Sequence, residues 1–173
     1  MRIEPSVPSH LWRLSAEGRQ RCEELALRLV QTNPAAVVTS REPKAVETGQ
    51  ILADTLAVGC EIGQDLHEHD RQGVAYFDTK GAFEAAVADF FAHPQMLRLG
   101  RETGEAALAR FDAAVKQALA RHPDGDLIIV AHGTVITLFV CRYNPLVDPI
   151  RFWRSLEMPD RFTLSLPEFK LLN

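Results

Sequence analysis

The chain has 173 residues, 46% of them apolar and 24% charged, the balance of an ordinary globular protein long enough to bury one core. A net charge of -4 argues against a nucleic-acid surface, and no charge block, low-complexity tract or repeat is present. Cys22, Cys60 and Cys141 are odd in number and have no C-x-x-C spacing, which speaks against a disulfide framework or zinc knuckle and fits a reducing compartment. The longest apolar stretch, Leu127 to Val140, is broken by His132 and Gly133, and MRIEPSVPSHLW lacks an apolar signal core. A single cytoplasmic domain over residues 1–173, with no membrane segment, is the expectation.

Pro5, Ser6, Pro8 and Ser9 predict an irregular start. Ser15 is a good N-cap for a helix carrying Cys22, Leu25, Ala26 and Leu29 at helical spacing, ended by Asn33-Pro34. Ala35 to Thr39 reads as a strand buried on both faces. A second helix starts within Ser40 to Thr48, with Pro43 in its first turn and Val46, Gly49, Leu52, Ala53 and Leu56 as its stripe. Cys60 to Ile62 reads as an edge strand, and Asp65 to Asp78 as a long polar loop. Helices follow over Lys80–Ala92 and Glu102–Arg121, the latter with Leu108, Phe111, Val115, Ala118 and Leu119 on one face. After a turn at Pro123–Asp126 comes a second buried strand, Leu127–Ala131, then a helix from His132-Gly133 to about Tyr143. Phe152–Ser155 adds a helical turn, and Phe162–Leu166 and Phe169–Leu172 read as late strands. Strands alternating with helices imply an α/β fold, a three-layer sandwich whose mostly parallel sheet has helices on both faces.

Two junctions share a layout. The strand ending at Thr39 runs into a helix start bearing Arg41 and Lys44, and the strand ending at Ala131 into one bearing His132. Ligands of open α/β sheets bind beyond the carboxyl ends of strands, and helix N-termini there attract anions. Lys44 and His132 therefore make a phosphate cradle, with Gly133 allowing close backbone approach. A solvated lysine and a satisfied core histidine are the alternatives. The segment His67-Glu68-His69-Asp70 admits three readings: a general-acid carboxylate, a metal site completed by His132, or a hydrated loop.

Four segments, in order, resemble the histidine phosphatase superfamily, also called phosphoglycerate mutase-like. Leu14-Ser15-Ala16-Glu17-Gly18 is similar to its L-S/T-x-x-G helix start, and Ser40 to Thr48 to its S-x-x-x-R-A-x-x-T segment. Leu66-His67-Glu68 is similar to its L-x-E motif, and Ala131-His132-Gly133 to its S/A-H-G motif. The resemblance implies that His132 holds phosphoryl oxygens and stabilises transition-state charge, and that Glu68 protonates the leaving alcohol. Lys44 stands where the family has arginine, keeping charge but losing the bidentate fork, and Arg41 is a candidate for compensation.

The family's opening strand, ending in Arg-His-Gly with the nucleophilic His, has no counterpart before Leu14: Arg2-Ile3-Glu4 does not match, and His10 follows no strand. The expectation is therefore a phosphoglycerate mutase-like domain with its first strand missing, Met1 being an internal residue of a longer protein, and a chain inactive as written for want of the attacker. The implied partner is a phosphorylated small molecule or phosphoprotein, with no metal or other cofactor and no nucleic acid. The alternatives are a non-catalytic phosphate- or phosphoprotein-binding module and, less favoured, a metal-dependent hydrolase through His67, His69 and His132. A gap in the sheet would leave room for a segment of a second copy, giving a homodimer.

Overall fold

The computed structural model describes Glu4 and residues 6–172. Arg2, Ile3 and Pro5, on which the reading of the first residues partly rests, lie outside the described residues. The chain divides into two compact units built from interleaved segments: Met1–His67, Asp112–His132 and Glu157–Asp160 in the first, and Glu68–Phe111, Gly133–Leu156 and Arg161–Asn173 in the second.

The first unit holds the parallel sheet. Helix α1 (Ala16–Leu29) begins where expected, the Ser15 hydroxyl accepting the Gly18 amide at 3.1 Å. It ends through a 3-10 turn, Val30–Thr32, and Asn33 in the left-handed region. Strand β1 (Ala36–Thr39) is buried at every position and is central, pairing in parallel with β2 (Gly59–Ile62) and β3 (Leu127–Val130) in the order β2-β1-β3. Helix α2 (Pro43–Leu56) connects β1 to β2, a crossover of the kind parallel strands require. Its buried stripe is Ala45, Gly49, Leu52 and Ala53, so Ala45 takes the inward place expected of Val46.

One core cluster joins Leu25, Ala26 and Leu29 of α1, Val37 of β1, and Leu52 and Ala53 of α2, with Ile128 and Val130 of β3 against it. Alternation along the strands sends Val38, Glu61 and Ile129 to the opposite face. There Arg121, at the end of α4 (Gly104–Arg121), bonds Glu61 at 2.8 Å, and His122 approaches the same oxygen at 3.2 Å. The fold is α/β with a parallel sheet flanked by helices, as the sequence implies.

Strand β3 departs from expectation. Its four residues are apolar but all only half-buried, whereas every residue of β1 is buried. Among the described residues β3 pairs with β1 alone, so it is an edge strand rather than a second fully buried one.

The second unit contains α3 (Lys80–Ala92), α5 (Gly133–Tyr143), α6 (Pro149–Ser155), the first part of α4 and an antiparallel pair, β4 (Thr163–Leu164) with β5 (Leu171–Leu172). Val87, Phe90 and Leu99 form its core, with Phe83 and Trp153 packed edge to face at 5.6 Å. Asn144 ties α5 to the pair: its amide donates to Phe169 O at 3.1 Å and its oxygen accepts Leu171 N at 3.0 Å. All three cysteines are free, and burial pushes the Cys141 thiol up to about 11. No helix among the described residues is long and apolar enough to cross a membrane.

Candidate functional site

In the first unit, β1 and β3 lie in register, Thr39 opposite Val130, so the residues that follow them emerge side by side. The Ser40 amide extends the ladder by donating to Val130 O at 2.8 Å. This pairing brings His132 to Ser40, 92 residues away, with Nε2 and Oγ 2.8 Å apart. The imidazole also lies 3.4 Å from Glu42 Oε1. The other oxygen of Glu42 bonds the Lys44 ammonium. Lys44 and His132 therefore converge on a carboxylate that sequence reasoning missed. Glu42 is 5% exposed and His132 6%, so the arrangement is nearly shut off from water.

The surroundings of Lys44 are also tied down. Its ammonium donates to Ser9 O at 2.8 Å, and its amide to Trp12 O at 3.2 Å. Glu47, one turn on, accepts from Leu14 N at 3.1 Å, Arg13 at 3.0 Å and Arg19 at 2.7 Å. The segment entering α1 is thus strapped to the start of α2. Arg41, the candidate for compensation, is exposed.

In the second unit, Glu68 stands at the start of α5. Its carboxylate accepts from Thr134 N at 3.1 Å, Val135 N at 3.2 Å and His69 N at 2.9 Å. It is a side-chain cap on two of the four amides a helix leaves unpaired at its start. Arg71 lies 4.0 Å from it, donates to Thr134 Oγ1 at 2.5 Å and stands over the Phe83 ring at 5.1 Å. Gly133 is the buried first residue of α5.

The loop around Glu68 is not a hydrated one. His69 is 3% exposed, packs its ring on Phe90 at a centroid distance of 4.2 Å and bonds Glu102 O through Nε2 at 2.8 Å. A carbonyl can only accept, so Nε2 carries the proton and Nδ1, buried and unbonded, is the bare nitrogen. Burial holds this imidazole below its ordinary range, with the Arg71 charge acting in the same direction. Glu102 in turn takes two bonds from Arg110, each 2.9 Å, and accepts the Asp70 amide at 3.3 Å. Burial alone would raise the Glu102 carboxyl, but Arg110 outweighs it and the net shift is downward. Gly100, at φ +113°, lets a second segment approach: a Cβ there would lie 2.2 Å from Asp70 O.

With its ring stacked and bonded in this way, His69 is a core histidine. No group of three His, Cys, Asp or Glu side chains able to hold a metal is gathered among the described residues. The signal that could have found Glu42 is its place two residues after Ser40 at a strand end; an acid in that position usually looks solvated.

Comparison with solved structures finds the same fold. Bacillus stearothermophilus YhfR superposes with a TM-score of 0.70 at 20% identity, over 92% of this chain and 81% of that one. Mycobacterial glucosyl-3-phosphoglycerate phosphatase gives 0.64 at 22% identity, over 84% of this chain and 73% of that one. A phosphoserine phosphatase mutant from Entamoeba histolytica, in complex with phosphoserine, gives 0.63 at 15% identity, over 88% and 74%. Comparison with curated proteins gives no significant match. The family profile described as histidine phosphatase superfamily (branch 1) matches residues 11–170, and the chain belongs to that superfamily.

Proposed function

We propose that the chain is a phosphatase-like protein that takes a phosphomonoester, with Lys44 and His132 holding the phosphoryl oxygens, Gly133 next to His132 in sequence, and Glu68 as the acid the family resemblance implies. The observation that carries the reading is the convergence of the Lys44 ammonium and the His132 imidazole on one carboxylate, beyond the carboxyl ends of two adjacent parallel strands. Two groups that both contact one anion can contact another in its place. Residues 1–173 contain no Arg-His-Gly, so the covalent route of the family has no attacker among them, and the chain as written binds phosphate without turning it over.

A non-catalytic phosphate-binding module is the second reading, favoured by the engagement of Glu68 as a helix cap. Titration with inorganic phosphate, read by calorimetry, and hydrolysis of an aryl phosphate test both. Binding that is weakened at least about tenfold by Lys44→Ala and by His132→Ala is the expected result. A chain extended upstream by a strand ending in Arg-His-Gly should then hydrolyse the aryl phosphate, and be indifferent to a chelator; binding without turnover in that longer chain favours the module. Phosphate binding unaffected by Lys44→Ala and His132→Ala would overturn the pocket.

A further inference from the structure

We propose that Ser40 is a positioning residue of this pocket that acts through His132: its hydroxyl holds the imidazole in one orientation before a ligand arrives. The inference rests on the reading of Lys44 and His132 as the phosphate-holding pair. Ser40 Oγ stands 2.8 Å from His132 Nε2, and Ser40 is 0% exposed, so water has no access to take the hydroxyl's place. The backbone of Ser40 is fixed on both sides. Its amide donates to Val130 O at 2.8 Å and its carbonyl accepts from Thr39 Oγ1 at 2.9 Å. Oγ itself accepts the Glu42 amide at 3.3 Å. A short side chain on a backbone held in this way is a rigid post.

The imidazole has more freedom. Half a turn about its Cβ–Cγ bond would place Cε1 where Nε2 stands and set a C–H against Ser40 Oγ. That turn gives up the hydrogen bond, and with both groups buried nothing from solvent replaces it. The hydroxyl also suits either protonation state of the ring, because its oxygen can accept and its hydrogen can rotate to donate. With the Glu42 amide on one lone pair, the other can accept from a protonated Nε2, and the hydroxyl hydrogen can donate to a bare one. Ser40 therefore keeps the ring in place whether or not it is charged. A ring ordered in advance spares the ligand the entropic cost of ordering it.

The experiment measures inorganic phosphate binding to the full chain, to Ser40→Ala and to Ser40→Cys, which is close to serine in size but a weak hydrogen-bonding partner. Both variants should bind phosphate about fivefold more weakly. Double-mutant cycles separate positioning from packing. In a His132→Ala background the Ser40 substitutions should cause no further loss, since the group they act through is gone. In a Lys44→Ala background the loss should remain in full. A loss that disappears with Lys44→Ala would mean that Ser40 acts through Glu42 and the start of α2, and overturns the inference. A loss undiminished without His132 marks a general loosening of the fold and overturns it too, as does unchanged binding in both Ser40 variants. The cysteine variant carries the test if the alanine variant does not fold. No phosphate binding by the parent chain at millimolar ligand removes the pocket itself, and the role of Ser40 with it.

Discussion

Gly49 lies on the buried face of α2 where the helix crosses β1, and replacing it by alanine tests how tightly that crossing is packed. A Cβ at this position would sit 2.0 Å from Thr39 Cγ2 and 3.3 Å from Thr39 Cβ, against an ordinary contact of 3.4–4 Å. Thr39 is fully buried and β-branched, so its methyl cannot rotate clear cheaply. In an exposed helix, Gly→Ala would stabilise by about 1 kcal/mol. Overpacking a filled core costs ~1–3 kcal/mol, and a 2.0 Å approach belongs at the upper end. The net expectation is destabilisation by about 1–2 kcal/mol, or roughly 3–6 °C in melting temperature for a chain of this size. Thr39→Ser removes the opposing methyl and keeps the hydroxyl that donates to Ser40 O at 2.9 Å. It costs about 1 kcal/mol alone, but combined with Gly49→Ala it should relieve the clash, giving a coupling of about 1 kcal/mol or more in a double-mutant cycle. Thermal and urea unfolding of the four proteins supply the numbers. A Gly49→Ala protein as stable as the parent, or additive behaviour in the cycle, refutes the reasoning.

Two other outcomes follow from the second unit. Because burial depresses the His69 imidazole, the folded protein binds fewer protons there than the unfolded chain; stability is complete above about pH 6.5 and declines as pH falls below it toward the lowered value. His69→Phe, which can keep the stacking on Phe90, should flatten the unfolding free energy between pH 6.5 and 5, and an unchanged slope would exclude His69 as its source. Removing the cap with Glu68→Ala leaves the amides of His69, Thr134 and Val135 without their acceptor and should lower stability by about 1–2 kcal/mol, read as a shift of the urea midpoint independent of any ligand. An unshifted midpoint would mean that the carboxylate is not holding the start of α5.

Much of the molecule can be read along the chain because the signals concerned are local. The Ser15 cap, Pro43 at the start of α2, and the apolar runs at 36–39 and 127–130 depend on neighbours a few residues away, and each element formed close to its expected place. Lys44 and His132 were accessible for a related reason: both follow strands, and parallel strands in register bring their ends together.

Other features are properties of three dimensions. The runs at 36–39 and 127–130 are both apolar, yet one is buried throughout and the other half-buried, because strand order rather than composition decides which is central. The sequence leaves His69 open between a metal ligand and part of a hydrated loop, and its burial is set by Phe90 and Glu102, both distant in sequence. Glu42 is the clearest case. Nothing local distinguishes it from a solvated acid at a helix start. It becomes the partner of an ammonium and an imidazole only when a histidine 90 places further on is delivered beside it by the pairing of β1 with β3. Sequence by itself determined which elements form and which residues end the strands, since those follow from periodicity and backbone chemistry. The charge that a ligand would meet there was decided by the tertiary structure, because electrostatic interaction depends on distance through space and on burial, and neither is written in the order of residues.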